Sequence, residues 1–248
     1  MRLYKYRDLS DKAESPIQRI SEILLKRSFW CAKPSTLNDP SEFIWTGDYT
    51  PTNATARLLA NILVKLKGRS LNEARMTAQN VIADQRLEQC VRPIFEDMMT
   101  QCRQELGLLC LGSSFNNEVM WQRYGGDGNG VCIEIDVPEE ILNNHFFPVE
   151  YPQEKVLHID QLLLAFTDSA HTKTIYSLAL LSKTPFWSYE EEIRFISKQQ
   201  CVNVHISESV ISNLIMGPKV SSEMRSEIKA IIETLTYNLP IIEYSSQG

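Results

Sequence analysis

Apolar residues recur along this chain with two different periods, and the places where the period changes outline its elements. Leu3–Tyr6 reads as a short strand. Ser15–Arg27 follows with apolar residues at Ile17, Ile20, Ile23 and Leu24, a helical spacing. Phe29–Ala32 reads as a second strand, and Asn38, Asp39 and two prolines in 34–43 mark a rigid turn. Residues 54–105 carry three apolar stripes at helical spacing: Leu58, Leu59, Ile62, Leu63 and Leu66; then Ala74, Ala78, Val81 and Ile82; then Val91, Ile94, Phe95 and Met98. Stripes of this kind are packing faces far more often than cofactor sites.

After Gly107 the pattern turns to strands. Leu108–Gly112 and Val131–Ile135 are apolar runs bounded by polar turns. A helix is expected near Leu162–Leu180 and a glutamate-rich strand over 187–196. Strands follow at Val202–Ile206 and Asn213–Met216, then a helix near Ser221–Leu235 and a closing strand at Ile241–Tyr244. The mixture predicts a single α+β domain over 1–248, with 54–105 as a helical insertion, rather than a regular βαβ array.

Composition narrows the function classes. With 25 Lys and Arg against 31 Asp and Glu, the formal net charge is −6. A general nucleic-acid or membrane-surface binder is usually basic. No apolar run approaches a membrane span and the N-terminus lacks a signal-peptide stretch, so a cytoplasmic location is expected. Cysteines 31, 90, 102, 110, 132 and 201 form no C-x-x-C pair and no close Cys/His spacing, and the four histidines are dispersed. No metal is therefore expected. Cys110 and Cys132 lie inside apolar patterns and read as small buried hydrophobes.

The candidate chemistry concentrates in Trp187-Ser-Tyr-Glu190-Glu191-Glu192-Ile-Arg194. On a strand, side chains alternate faces, so Glu190, Glu192 and Arg194 would share one face, with Glu191, Ile193 and Phe195 on the other. Two carboxylates roughly 7 Å apart beside a guanidinium could accept a proton or steady a cation; the plain alternative is a salt-bridged surface face. Asn38-Asp39-Pro40 could be a structural turn or could hold Ser35 or Glu42 toward a ligand. Gly125–Gly130 lacks the strand–loop–helix setting of a dinucleotide fingerprint, and reads as a connection into Val131 or a mobile lid. Met120 and Trp121 read as core anchors, although a Trp face could stack a base or nicotinamide ring. Arg7 and Lys183 could each grip a phosphate or be ordinary charges.

Taken together, the motifs resemble the domain-of-unknown-function family 2971. They are Leu3-Tyr-Lys-Tyr6-Arg7, Phe29-Trp30, Asn38-Asp39-Pro40, Leu109-Cys-Leu-Gly-Ser113, Met120-Trp121-x-x-Tyr124, Gly130-Val-Cys-Ile-Glu134, Lys183, Trp187-Ser-Tyr-Glu190-x-Glu192-x-Arg194 and Ile215-Met-Gly217-Pro. The order of parts is more remotely similar to the ADP-ribosyltransferase superfamily, in its DNA-modifying toxin branch. The departures are Tyr6-Arg7 in place of a histidine-based first motif and a middle serine motif met only loosely by Ser113-Ser114.

That second resemblance implies two small bent sheets around a cleft, with NAD as cofactor. It implies Glu192 or Glu190 as the catalytic carboxylate, and Tyr6, Arg7, Asn38, Trp121, Tyr124 and Arg194 around the dinucleotide. A carboxylate there would stabilise the oxocarbenium-like cation formed when nicotinamide leaves. The acceptor would be a nucleic acid or a protein, in a toxin or phage-defence setting, with no membrane involved. Two alternatives stand beside it. One is a non-catalytic binding module. The other is a metal-dependent nuclease drawing on Asp39, Glu42, Glu134, Glu190 and Glu192, with Lys183 as electrostatic partner.

Overall fold

The computed structural model describes residues 1–10, 15–168, 175, 179–205 and 211–245. Its elements begin β1 (Arg2–Asp8), α1 (Pro16–Lys26), β2 (Ser28–Cys31), β3 (Thr46–Asp48), α2 (Thr55–Lys67), α3 (Leu71–Ala83) and α4 (Leu87–Glu105). They continue β4 (Gly107–Leu111), α5 (Glu118–Tyr124), β5 (Gly130–Asp136), α6 (Glu139–His145), β6 (Phe146–Pro148), β7 (Val156–His158) and α7 (Ile159–Ala165). The last are β8 (Ile193–Ser197), β9 (Val202–His205), β10 (Ile211–Met216), α8 (Ser222–Glu233) and β11 (Ile241–Glu243). This is a mixed α+β fold with several small sheets.

The chain forms two compact units. The first comprises Met1–Thr36, Leu106–Val149 and Phe186–Gly248, and the second Leu37–Glu105 and Glu150–Pro185. The helical block expected at 54–105 thus shares its unit with 150–185.

In the first unit a four-stranded sheet has the order β1-β5-β10-β11, and a three-stranded one the order β4-β8-β6. A bridge in which Tyr4 and Gly112 exchange hydrogen bonds (2.9 and 2.8 Å) joins them. β5 is buried along nearly its whole length, as a central strand covered on both faces requires. On one face Leu3, Val131, Ile133 and Ile135 pack with Ile20, Ile23 and Leu24 of α1. Burying each of those helix side chains is worth about 1.5–3 kcal/mol. On the other face Tyr4, Tyr6, Cys132 and Ile215 pack with Met120, Trp121 and Tyr244. Lys5 and Arg7 share the α1-facing side of β1 with Leu3, because alternate residues of a strand point the same way. An apolar face therefore turns basic toward the end of the strand.

In the second unit β3 pairs β7 in parallel, and α2 packs on α3 and α7. Ser70 and Glu73 cap α3 reciprocally. Of the apolar stripes, Leu58, Ile62, Ala74, Ala78, Val81, Val91 and Phe95 are buried, whereas Leu66 and Ile94 are exposed.

Three expectations change. Four sheets form among the described residues where two were expected. The stretch 187–196 is not one strand: Pro185–Glu190 is a 3-10 segment, Glu191 takes a positive φ of 41°, and β8 begins only at Ile193. The helix expected over 162–180 corresponds to α7 only up to Ala165, and positions 169–174 and 176–178 of that span lie outside the described residues.

Candidate functional site

The end of β1, the first turns of α1 and the end of α5 enclose a pocket of about 240 Å³ in the first unit. β1 supplies Lys5, Tyr6, Arg7 and Asp8; α1 supplies Arg19 and α5 supplies Arg123 and Tyr124. Among the described residues, four cationic side chains thus line it against one carboxylate. Asp8 is turned to local work, its Oδ1 accepting from the Ser10 N–H at 2.7 Å and the Ser10 hydroxyl at 2.6 Å.

Arg7 is the unusual member. Its Nε is buried and has no hydrogen-bond partner among the described residues. Burial first, and then repulsion from Arg19, push its guanidinium down to about 10. A buried N–H ordinarily has an acceptor, because one without it forfeits its hydration without recompense. Lys5 donates to the Cys110 carbonyl at 2.8 Å. Burial, assisted by Arg7, lowers its ammonium to about 8, against the opposing pull of Cys110 and Glu192. The same surroundings hold the Cys110 thiol up near 12, chiefly through burial. That thiol is no nucleophile at neutral pH.

Tyr124 closes one side, and its hydroxyl donates a short hydrogen bond to Glu190, which is buried. Glu192 is buried as well, and both of its oxygens are held by Arg194, from Nε at 2.7 Å and Nη2 at 3.1 Å. Glu190, Glu192 and Arg194 are thus all buried while Glu191 is exposed, as strand alternation would give. A 3-10 turn followed by a positive-φ residue produces that result instead. Exposed Glu191 accepts a short bond from the Ser113 hydroxyl.

Tyr6 and Trp121 belong to the core. The Tyr6 hydroxyl donates to the Ser114 carbonyl at 2.8 Å, and burial pushes its phenol well up. The Trp121 ring stacks on Tyr244 at 4.6 Å, meets Tyr6 edge-on at 5.3 Å, and donates through Nε1 to the Phe115 carbonyl at 2.8 Å. Asn38 belongs to the second unit and is exposed. Its neighbour Asp39 accepts from the Ser41 N–H at 2.8 Å and hydroxyl at 2.6 Å, an Asx turn of the structural kind. Lys183, in the same unit, faces Glu42 at 3.8 Å with both side chains buried.

The glycine-rich loop is tightly packed. A Cβ on Gly130 would stand 2.2 Å from the Arg7 carbonyl oxygen, and one on Gly126, with φ of +59°, 2.1 Å from Asp8 Oδ1. The glycines let the loop close against the end of β1, beside the pocket.

The sequence does not single out Arg19 and Arg123 as pocket residues. Arg19 looks like any charge on the solvated side of an amphipathic helix. Arg123 lies between Trp121 and Tyr124 of a motif already marked, which was the available signal. Among the described residues, no group of three His, Cys, Asp or Glu side chains could hold a metal ion, and no helix is long and apolar enough to cross a membrane.

Comparison with known proteins gave no significant match to a curated protein or to a solved structure. Residues 120–195, which carry Trp121, Arg123, Tyr124, Glu190, Glu192 and Arg194, match the model of the family described as Protein of unknown function (DUF2971).

Proposed function

We propose that the first unit binds a phosphate-bearing ligand in the pocket around Arg7. The observation that carries the reading is the buried, unpartnered Arg7 Nε, set among Lys5, Arg19 and Arg123. A phosphate oxygen supplies the missing acceptor and offsets the repulsion between these cations. Among phosphate compounds, NAD is the candidate that the resemblance to ADP-ribosyltransferases puts first, with its pyrophosphate on Arg7.

A binding role is favoured over a transferase step by two features. Glu192 is committed to Arg194, and the Trp121 ring is covered by Tyr244 and Tyr6. Glu190 does not itself line the pocket and meets it through the Tyr124 hydroxyl. Calorimetric titration of the full chain with inorganic pyrophosphate and with NAD tests the reading. Binding that weakens at least tenfold in Arg7→Met is expected, and no heat from either ligand would overturn it. Release of nicotinamide from NAD, abolished in Glu190→Gln, would move the conclusion from binding module to transferase.

A further inference from the structure

The pocket does not end at its cations. Arg123, which lines it, also lies over three aromatic rings, its guanidinium carbon 5.4 Å from the centroid of Phe186, 5.4 Å from Trp187 and 5.2 Å from Tyr189. Trp187 is buried, but Phe186 is 63% exposed. Phe186 is held in place all the same. It meets Trp187 edge-on at 5.3 Å and Tyr189 edge-on at 6.4 Å, and it belongs to the 3-10 segment Pro185–Glu190. Asn117, the N-cap of α5, ties that segment down by donating to the Tyr189 carbonyl at 2.7 Å.

A fixed, exposed phenyl ring forgoes the benefit of burial, and its flat surface stands beside a cation that no carboxylate among the described residues neutralises. We propose that the ligand of this pocket is a nucleotide whose base stacks on Phe186 while its phosphate sits among Arg7, Arg19 and Arg123. This rests on the phosphate-binding reading and adds the second half of the ligand. Arg123 is the hinge between the halves: its face is spent on the aromatic rings, and its N–H edge stays available to a phosphate oxygen. A ring stacked on an aromatic side chain is recognised by its π surface, so the platform selects for a flat heterocycle without fixing which base.

The test compares three ligands by calorimetry at low salt: AMP, ribose 5-phosphate, which lacks the base, and adenosine, which lacks the phosphate. AMP is expected to bind about tenfold or more tighter than ribose 5-phosphate, the range that one stacked base supplies. Phe186→Ala should erase that advantage while leaving ribose 5-phosphate affinity unchanged, and Phe186→Tyr should keep it. Phe186 is a surface residue, so thermal melts of the variants are expected to match the parent. Equal affinity for AMP and ribose 5-phosphate, or an AMP advantage that survives Phe186→Ala, overturns the nucleotide proposal and leaves the phosphate site standing. If none of AMP, ribose 5-phosphate and inorganic pyrophosphate binds, the phosphate reading fails and this proposal fails with it.

Discussion

Arg194 holds both carboxylate oxygens of Glu192, and the two side chains are 0% and 4% exposed. The residues are two apart, so the chain needs only local geometry to bring them together. A carboxylate gripped in this way has its charge already balanced, and it orients the strand that follows rather than waiting for a substrate.

Breaking this pair should be costly. Arg194→Met is expected to destabilise the protein by about 3–5 kcal/mol, because it strands a buried carboxylate. The double variant Glu192→Leu/Arg194→Met should recover most of the loss. Urea denaturation of the two variants and the parent checks this.

Arg7 should behave in the opposite sense. Arg7→Met removes a half-buried guanidinium whose buried Nε has no partner and which is repelled by Arg19. The ligand-free protein should gain about 1 kcal/mol, as expected where function holds a residue against stability. The same variant should lose phosphate affinity. Thermal melts with and without pyrophosphate would show the two effects crossing.

Lys5 predicts a pH dependence. Its folded value of about 8 lies below the ordinary 10.5. Between those values the unfolded chain binds the proton and the folded chain does not, so stability rises with pH across that window. The cost of burying the charged form is fully present below about 8. Anion affinity should fall over the same range as Lys5 loses its charge. Lys5→Met should flatten both profiles, measured by melts and titrations at intervals from neutral to alkaline pH.

Tyr124→Phe should cost about 1.5–3 kcal/mol, the worth of a hydrogen bond to a charged group. It removes the hydroxyl that donates to buried Glu190 and leaves the ring in place. Adding Glu190→Gln should make the second loss smaller than it is alone, which a double-mutant cycle measures.

Gly130→Ala should destabilise the protein by about 1–3 kcal/mol or more through overpacking, since the new Cβ would stand 2.2 Å from the Arg7 carbonyl. Because that carbonyl belongs to the pocket's central arginine, pyrophosphate affinity should fall along with the melting temperature.

Much of the candidate site was legible as residues but not as an arrangement. Arg7 and Tyr124 stand out in the sequence and meet at one pocket, because β1 and α5 pack together in the first unit. Glu190 stands out in the sequence as well and joins them through the Tyr124 hydroxyl. Trp121 offers a flat face in the sequence, yet the core occupies that face, since its stacking partner Tyr244 comes from the far end of the chain. Phe186 does not stand out beside Trp187, because sequence gives no sign of which of two adjacent aromatic residues stays outside.

The sequence by itself determined many of the elements. Periods of two and of about 3.6 residues separate strands from helices wherever one face is buried, and they located β1, α1, β4, β5, β10 and the helical run from α2 to α4. It also determined the local pairings that need only short spacing, such as Glu192 with Arg194 and Asp39 with Ser41. Only the tertiary structure decided what those elements enclose. Whether a charge costs or contributes depends on how much water it loses and what faces it, and both are set by segments distant in the chain. Arg7 is a ligand candidate because α1 brings Arg19 and α5 brings Arg123 to its strand, and among the described residues no carboxylate comes with them to its buried Nε.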